Sequence, residues 1–520
     1  MRIWATVALF LSGVQVQAGD VTLSLSGLTQ PGGGALVARD VAGVPRNPQL
    51  GVVDPADTSD EARQLRALVA RGRSQGFDRI LYDNRDWAHS ILPQSLFPNL
   101  TFLKYGPKIH ERRWDYGLAG QIFIPALVFG NSSTAVTAGF AQRSLARLAM
   151  TSRGAPALAF RDYTSNSLYV YPEHVDHDER DMFPVNWPFM TVSQGSSGSD
   201  QPFLRAIAMT LAAFPADTRA ALERAGLIAP TVQMILRRNL TLIRTRAHYL
   251  SGAAHPVVFD RKWLQPGRMI GQAAAMQPDT IPPLVHLRVL DETFKSQSGL
   301  ARADERLFTT PASIARIWRG WNWSHEMEIS AERTIDPNGR PLRFEWVILQ
   351  GDPQRIQIEP VGETGARARV RVMWHPEFTV HPRVPGQDIA RKSSRVDIGV
   401  FASNGVSDSA PSIVSISFPT HQIRDYKPNE SGNILLHSVD YDALSRGTPF
   451  DPLLHWSAPW RDVFEYDAQG KMLGWKRAQG PQITAFDANE VGQGRYIKSD
   501  LAKGPPVLRL VRRSDQNPAD

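Results

Sequence analysis

Four short stretches of the chain combine hydroxyl, imidazole and carboxylate groups with small residues, and each follows a run of β-forming residues. "YDNRDWAHS" (Tyr82–Ser90) offers Asp83, Arg85, Asp86 and His89. "FGNSSTA", beginning at Phe129, offers Asn131, Ser132, Ser133 and Thr134. "PEHVDHDERD" (Pro172–Asp181) offers Glu173, His174, Asp176, His177 and Asp178. "QGSSGSD" (Gln194–Asp200) offers Gly195, Ser196, Ser197, Ser199 and Asp200.

These types define a small set of chemistries. Ser197 or Ser196 would attack a carbonyl if His174 or His177 stood within reach as the base, with Asp83, Asp86 or Asp176 orienting the imidazole. The nucleophile-elbow pattern G-x-S-x-G is not met, because Ser199 stands where the second glycine is required. Gly195 and Gly198 permit inward-pointing N–H groups, so the same loop, with Ser199 and Asp200, reads alternatively as an anion cradle at a helix N-terminus. In the plainest alternative, Ser199 or Asp200 only caps that helix. Arg85 suits a bidentate anion clamp or a structural pair with an Asp. His89, Asn131 and Ser132 are candidate ligand contacts, Asn131 through its amide. A divalent metal is an open option for the cofactor, with Asp176 and Asp178 joining His174 and His177, since imidazole and carboxylate suit zinc, iron or manganese. H-x-x-H lacks the i, i+4 spacing of a helical ligand pair, so such a site needs further ligands from Asp83, Asp86 or His89.

Strands alternating with helices must position these loops. A helix is expected from about Ser59 to Arg73, with Ala62, Leu65, Leu68 and Val69 on one face. Strands are expected to end near Tyr82, at Gly130 after the apolar run from Ile122, and near Tyr171. A fourth, "MTVS", leads into a helix carrying Leu204, Ile207, Ala208 and Leu211 on one face. A helix is also expected at "AQRSLARLAM", and helices continue to "ASIARIWRGW". This alternation predicts an α/β domain with a mostly parallel sheet, whose ligands bind beyond the carboxyl ends of the strands.

Composition sets the wider frame. With 520 residues, several domains are expected. Apolar residues at 42% and charged residues at 21% suit globular domains and argue against long disordered tracts. The net charge of +7 favours acidic partners such as anionic glycans, cell-wall polymers or lipid headgroups. No dense Lys/Arg block marks a nucleic-acid partner, and none is expected. "MRIWATVALFLSGVQVQA" has the charged start, short apolar core and small-residue end of a cleaved signal peptide, residues 1–18, which predicts a periplasmic or extracellular protein. No later segment has the length of a transmembrane span. Cysteine is absent, which excludes disulfides, thiolate ligands and a Cys nucleophile.

From about Met327 the pattern shifts to short alternating strands. "DPNGRPLRFEWVILQGDP" (Asp336–Pro353) resembles the D-x-(D/N)-G-x-x-L-x-(Y/F)-x-W strand pair of PKD-like and cadherin-like immunoglobulin-fold modules. "RVDIGVFASNGVSDSAPSIVSISF" is similar to their final hairpin. The resemblance covers residues 327–420 and implies a β-sandwich that acts as a spacer or adhesive unit beside a secreted enzyme. A hairpin turning at Gln469-Gly470 marks a C-terminal β module.

The expected layout is therefore an α/β domain over residues 19–322, an immunoglobulin-like β-sandwich over 323–420 and a β module over 421–520. The expected function is an exported hydrolase of a polymeric extracellular substrate, a glycan or ester-bearing polysaccharide. The competing reading is a secreted binding protein that holds an anionic ligand on the GSSGSD loop.

Overall fold

The computed structural model describes residues 19–30, 36–87, 89–117, 122–132, 135–138, 141–144, 154–174, 177, 180–181, 183–299, 303–381, 390–420, 422–441, 459–488, 494–498 and 508–512. The expected signal peptide, Ser133, Thr134, Asp176 and Asp178 lie outside the described residues. Among the described residues no helix is long and apolar enough to cross a membrane.

Six strands form a wholly parallel sheet: β1 (Val21–Leu23), β2 (Leu81–Arg85), β3 (Thr101–Tyr105), β4 (Val128–Ser132), β5 (Ser167–Pro172) and β6 (Met190–Ser193). Their spatial order is β1-β3-β2-β4-β5-β6. From β2 the chain moves outward to β3, and from β4 it moves the other way to β5. The crevice beyond the ends of β2 and β4 is thus a topological switch point, where open α/β sheets place their ligands.

Helices cover this sheet: α1 (Asp60–Ala70), α2 (Ala155–Tyr163), α3 (Gln201–Ala213), α4 (Ala216–Ala225), α5 (Ile228–Arg238) and α6 (Pro266–Ala275). Ser59 caps α1 by accepting the Ala62 N–H, and Ala62 and Leu65 enter the core. α3 buries far more than the single face its periodicity suggests, from Phe203 through Ala213, because it is packed against β4, α1, α5 and α6.

Several local expectations are corrected. β2 continues to Arg85, so Asp83 and Arg85 are strand residues rather than loop residues. β4 runs through Gly130 to Ser132, whereas Ile122–Phe123 belongs to a separate small sheet. Gly130 does not break the strand. A Cβ there would meet the Asp83 carbonyl oxygen at 1.8 Å, so the glycine lets β2 and β4 approach closely. Ala141–Ser144, expected to open a helix, is a strand paired with Ala135–Ala138.

"SIARI" is also a strand and not a helix. It is β9 of a two-sheet sandwich built from β7 (Arg288–Glu292), β8 (Arg306–Thr310), β9 (Ser313–Ile317), β10 (Ser324–Ser330), β11 (Arg343–Gln350), β12 (Ile356–Val361), β13 (Arg367–Met373), β14 (Arg395–Ser403) and β15 (Ser412–Ser417). One sheet has the order β7-β10-β13-β12 and the other β8-β9-β15-β14-β11. β9 pairs in parallel with β15 and is buried along its whole length. Ile314, Val400 and Val414 face the sandwich interior, while Ala315, Phe401 and Ile413 join the α/β core. Burial on both faces explains an apolar run without strand alternation. The strands of these sheets begin at Arg288, ahead of the change in composition near Met327.

A five-stranded antiparallel meander follows, over Ile423–Pro428, Ile434–Asp440, Arg461–Tyr466, Met472–Gln479 and Gln482–Asp487. Its third hairpin turns at Gln469-Gly470, where Gly470 has φ 82°. The chain is multidomain, an α/β parallel-sheet region followed by antiparallel β-sheets.

Candidate functional site

Asp83 and Arg85 form the floor of the rim. The Asp83 carboxylate accepts from Tyr105 Oη at 2.8 Å, Tyr169 Oη at 2.7 Å and Arg85 Nε at 2.8 Å. Arg85 also donates to the Ile122 carbonyl at 2.7 Å and lies over the Tyr169 ring. Both side chains are buried and committed to each other. Asp83 therefore orients no histidine, and Arg85 clamps no external anion; they are the structural pair.

On the opposite side of β2, Tyr82 Oη donates to Asn131 Oδ1 at 2.8 Å and accepts the Leu92 N–H. Asn131 Nδ2 in turn reaches the His89 carbonyl at 3.3 Å. Burial, followed by the charges of Asp200, Asp83 and Asp86, drives the Tyr82 pKa far upward.

The loop after β6 crosses the strand ends to meet the loop after β2. Ser90 Oγ accepts the Gly198 N–H at 2.7 Å, and Ser197 Oγ stands 3.4 Å from His89 Nδ1. β2 and β6 are three sheet positions apart, about 14 Å at ordinary strand spacing. His89 is thus an imidazole brought to a serine. At 3.4 Å the contact is long for an O–H···N bond, a length that apo catalytic pairs commonly show before substrate tightens them. Among the described residues no carboxylate hydrogen-bonds the His89 ring to complete a triad.

The remaining sequence candidates are placed as follows. The His174 N–H donates to the Gly195 carbonyl, which ties the two loops through backbone. His177 lies in the wall of a cavity between the α/β part and the sandwich. Glu173 Oε1 accepts the Gly195 N–H and its Oε2 the His177 N–H, each at 3.2 Å. Ser199 Oγ bonds Ser193 Oγ at 2.9 Å. Ser196 is exposed.

One expectation for GSSGSD is corrected by this wiring. Neither Ser199 nor Asp200 caps α3 with its side chain. Three of its N–H groups are committed within the protein: Gly195 to Glu173, Gly198 to Ser90 and Ser199 to the Ser196 carbonyl.

Asp200 is the unusual group. It is fully buried at the start of α3, and among the described residues neither carboxylate oxygen has a well-formed hydrogen bond from a donor. Burial raises its pKa above the usual carboxylate value. Ser90, the Gly198 N–H and Asn131 stand near enough to temper the shift without making a well-formed bond. Ser132 Oγ, at the end of β4, is likewise buried without a partner among the described residues. Backbone strain gathers here too. Trp87, Ser90 and His174 have φ values of 49°, 52° and 60°, in the left-handed region that non-glycine residues avoid at a cost of about 1–2 kcal/mol each.

Beside the mouth lies an aromatic shelf that the sequence reading missed. Trp87 is 38% exposed, with its ring centroid 4.6 Å from Tyr116 and 5.2 Å from His110. The Gly117 N–H donates to the Arg85 carbonyl at 2.8 Å, which fixes this segment to the end of β2. A tryptophan within the polar run "NRDWAHS" was the signal for it. Among the described residues no three His, Asp or Glu side chains converge as a metal-binding group.

No family model matches the chain. No curated protein matches it. Among solved structures, it is similar to a nucleoside hydrolase-related hypothetical protein from Saccharophagus degradans associated with carbohydrate metabolism, at 10% identity and a TM-score of 0.20, covering 65% of this chain and 99% of that one. It is also similar to the N-terminal Ig1-2 module of the Drosophila receptor protein tyrosine phosphatase DLAR, at 10% identity and a TM-score of 0.12, covering 40% of this chain and 98% of that one. At these scores neither bears on what the site does, and its chemistry rests on its own residues.

Proposed function

We propose that this chain is an exported hydrolase that cleaves glycosidic bonds in an extracellular or periplasmic glycan, with its reaction at the β2–β4 switch point. The observation that carries the reading is the unpartnered, buried carboxylate of Asp200 at that crevice. The sign of the site selects among hydrolyses. Ester cleavage develops an oxyanion and needs free N–H donors aimed at it. Here the Gly195, Gly198 and Ser199 amides are committed within the protein, whereas Asp200 brings a buried carboxylate. Such a site favours a transition state that develops positive charge, as an oxocarbenium ion does.

In this reading Asp200 is the acid/base group, its raised pKa suiting it to hold and release a proton. Ser132 accepts from a substrate hydroxyl. His89 and Ser197 line the mouth, and Trp87 carries a neighbouring sugar on its exposed face. Ser90 and Gly198 are the neighbours of Asp200 that reach solvent, so substrate entry requires their bond to open.

The Ser197–His89 contact favours a second reading, a serine esterase acting on an ester-bearing polysaccharide. One experiment separates the two. Purified protein is given a panel of plain and acetylated polysaccharides, and reducing ends and released acetate are both measured. The glycosidic reading expects reducing ends, a loss of about 100-fold or more in Asp200→Asn, and less than about tenfold in Ser197→Ala. Acetate release abolished by Ser197→Ala, without new reducing ends, overturns it.

The order β7-β10-β13-β12 facing β9-β15-β14-β11, with parallel β9–β15 pairing, supports reading the sandwich as immunoglobulin-like.

A further inference from the structure

A groove opens at the far end of the parallel sheet. Thr164 in its wall stands just ahead of β5, so the groove lies at the amino ends of the strands, whereas the switch point lies at their carboxyl ends. The length of β5, about 20 Å at ordinary strand rise, separates the two. The groove measures about 420 Å³, within the range of roughly 300–1,000 Å³ of small-molecule sites.

Two parts of the chain form it. α2 supplies Phe160 from the α/β part. The sandwich supplies Leu284 from ahead of β7, Pro311 from between β8 and β9, and Ile335 and Pro337 from between β10 and β11. Phe160, Leu284 and Pro311 are half-buried and Ile335 and Pro337 exposed, so a molecule in the groove reaches all five. Ile335 is 78% exposed, the most of any large apolar side chain described. That exposure is fixed by the loop around it. Thr334 Oγ1 accepts the His286 N–H at 3.0 Å. The Asp336 carboxylate accepts from Asn404 Nδ2 at 2.7 Å and from the Asn338 and Arg340 N–H groups at 2.9 and 3.0 Å. Both chain neighbours of Ile335 are thus tied down, and the isoleucine is held beside the groove in water.

The polar lining has one sign. Thr164 Oγ1 is already engaged, donating to the Phe160 carbonyl at 2.9 Å. His286 and Arg333 remain, and no Asp or Glu stands in the wall. Among the described residues neither the His286 ring nor the Arg333 guanidinium has a hydrogen bond or ion pair, and the adjacent Glu332 is paired with Arg367. The two basic groups stand within each other's field. Burial, and then the Arg333 charge, lowers the His286 pKa, which leaves the imidazole an uncharged N–H donor near an unmatched cation.

An apolar trough flanked by one free cation and a neutral donor complements a molecule with a single carboxylate and an apolar tail. The lining is aliphatic apart from Phe160, whose ring packs against Phe189, and this favours an alkyl chain over a flat ring. We propose that this groove binds a medium-chain carboxylate, with its alkyl chain on Phe160, Leu284, Pro311 and Ile335 and its carboxylate on Arg333 and the His286 ring N–H. The site stands apart from the switch point and holds whichever bond is cleaved there.

The test uses the full chain, titrated by calorimetry with acetate, hexanoate, octanoate, decanoate, octanol and a Gly-Leu-Leu peptide, in wild type, Arg333→Gln and Ile335→Asn. Both side chains are exposed, so neither substitution removes core packing and both variants should fold as wild type does. The expected result is a decanoate Kd of about 0.1 mM or tighter, no acetate binding, and affinity that rises about two- to fourfold per methylene from hexanoate to decanoate. Arg333→Gln should weaken octanoate about fivefold or more and leave octanol nearly unchanged, whereas Ile335→Asn should weaken both. Absence of decanoate binding overturns the proposal. So does equal binding by all three proteins, which is nonspecific adsorption. Peptide binding tighter than decanoate and lost in both variants overturns it in favour of a polypeptide terminus. Self-association of wild type that Ile335→Asn abolishes, without carboxylate binding, overturns it in favour of a second copy of the chain.

Discussion

Ser90 Oγ accepts the Gly198 amide at 2.7 Å, and this bond joins two loops that follow strands three positions apart in the sheet. Ser90 holds φ 52° and Gly198 φ 92° to make it. Ser90→Ala removes the acceptor and leaves the Gly198 N–H to solvent. Loss of one such bond costs about 1–2 kcal/mol of local protection, so hydrogen exchange across residues 194–199 should speed about 5–30-fold. Unchanged exchange would show that Glu173 alone holds the loop.

Asp200→Asn should uncouple activity from stability. The side chain keeps its shape and loses a buried charge that Ser90, the backbone N–H groups of Asp200 and Gly198, and Asn131 only partly offset. The folded pKa is raised above 3.8, so the group favours folding below about pH 3.8 and that contribution is lost as pH rises through the folded value. Asp200→Asn should therefore melt higher than wild type at pH 7, with the gain vanishing near pH 3.5, while glycan cleavage falls about 100-fold or more. A lower melting temperature at pH 7 would mean that Asp200 is a structural group.

Much of the α/β plan is legible in the chain because buried parallel strands read as apolar runs and each rim loop follows one directly. β5, β6, α1 and α3 lie close to where periodicity puts them. The partners within the rim are not legible. His89 and Ser197 are 108 positions apart, and their contact depends on a loop crossing the sheet end, whereas sequence adjacency favours His174. Asp83 resembles a loop acid until β2 is seen to continue to Arg85 under cover of Tyr105 and Tyr169. "SIARI" misleads for a different reason: burial on both faces erases the alternation that separates strand from helix.

Trp87 offers a test of the shelf that does not disturb the reacting groups. If a sugar next to the scissile bond rests on it, Trp87→Ala should raise KM for polymer about 3–10-fold and leave kcat nearly unchanged. Small chromogenic glycosides that reach only the switch point should show no change. An equal loss on both substrates would place Trp87 in loop packing with Tyr116 and not in binding.

Arg395 bridges Asp181 at 2.7 Å and Asp397 at 2.9 Å, all three buried between the α/β part and the sandwich. Burial pushes the Asp181 carboxyl upward, and the charges of Arg395 and His177 more than offset this and bring it below the usual range. Arg395→Met leaves two buried carboxylates without their cation and should cost about 3–5 kcal/mol in urea unfolding. Adding Asp181→Asn should restore part of that loss, since one of the exposed penalties is then removed. No recovery in the double variant would mean that packing, not charge, dominates this junction.

Glu305 should set an acid limit on the sandwich. Its Oε1 accepts the Arg319 and Gly320 N–H groups at 2.9 and 2.7 Å, and its Oε2 the Lys295 N–H and Ser298 Oγ, each at 3.0 Å. His325 Nε2 lies 3.6 Å away, an ion-pair contact beyond hydrogen-bond reach. Burial alone would raise the carboxyl, but His325 and the Gly320 and Lys295 amides carry it down to about 2. A folded pKa below the unfolded 4.5 means stability that is present above pH 4.5 and lost as pH falls toward 2, amounting to roughly 3 kcal/mol. Glu305→Gln should be less stable than wild type at pH 7, and the difference should shrink steadily across that window. Parallel stability curves from pH 5 to 2 would show that the depressed carboxyl does not drive acid unfolding.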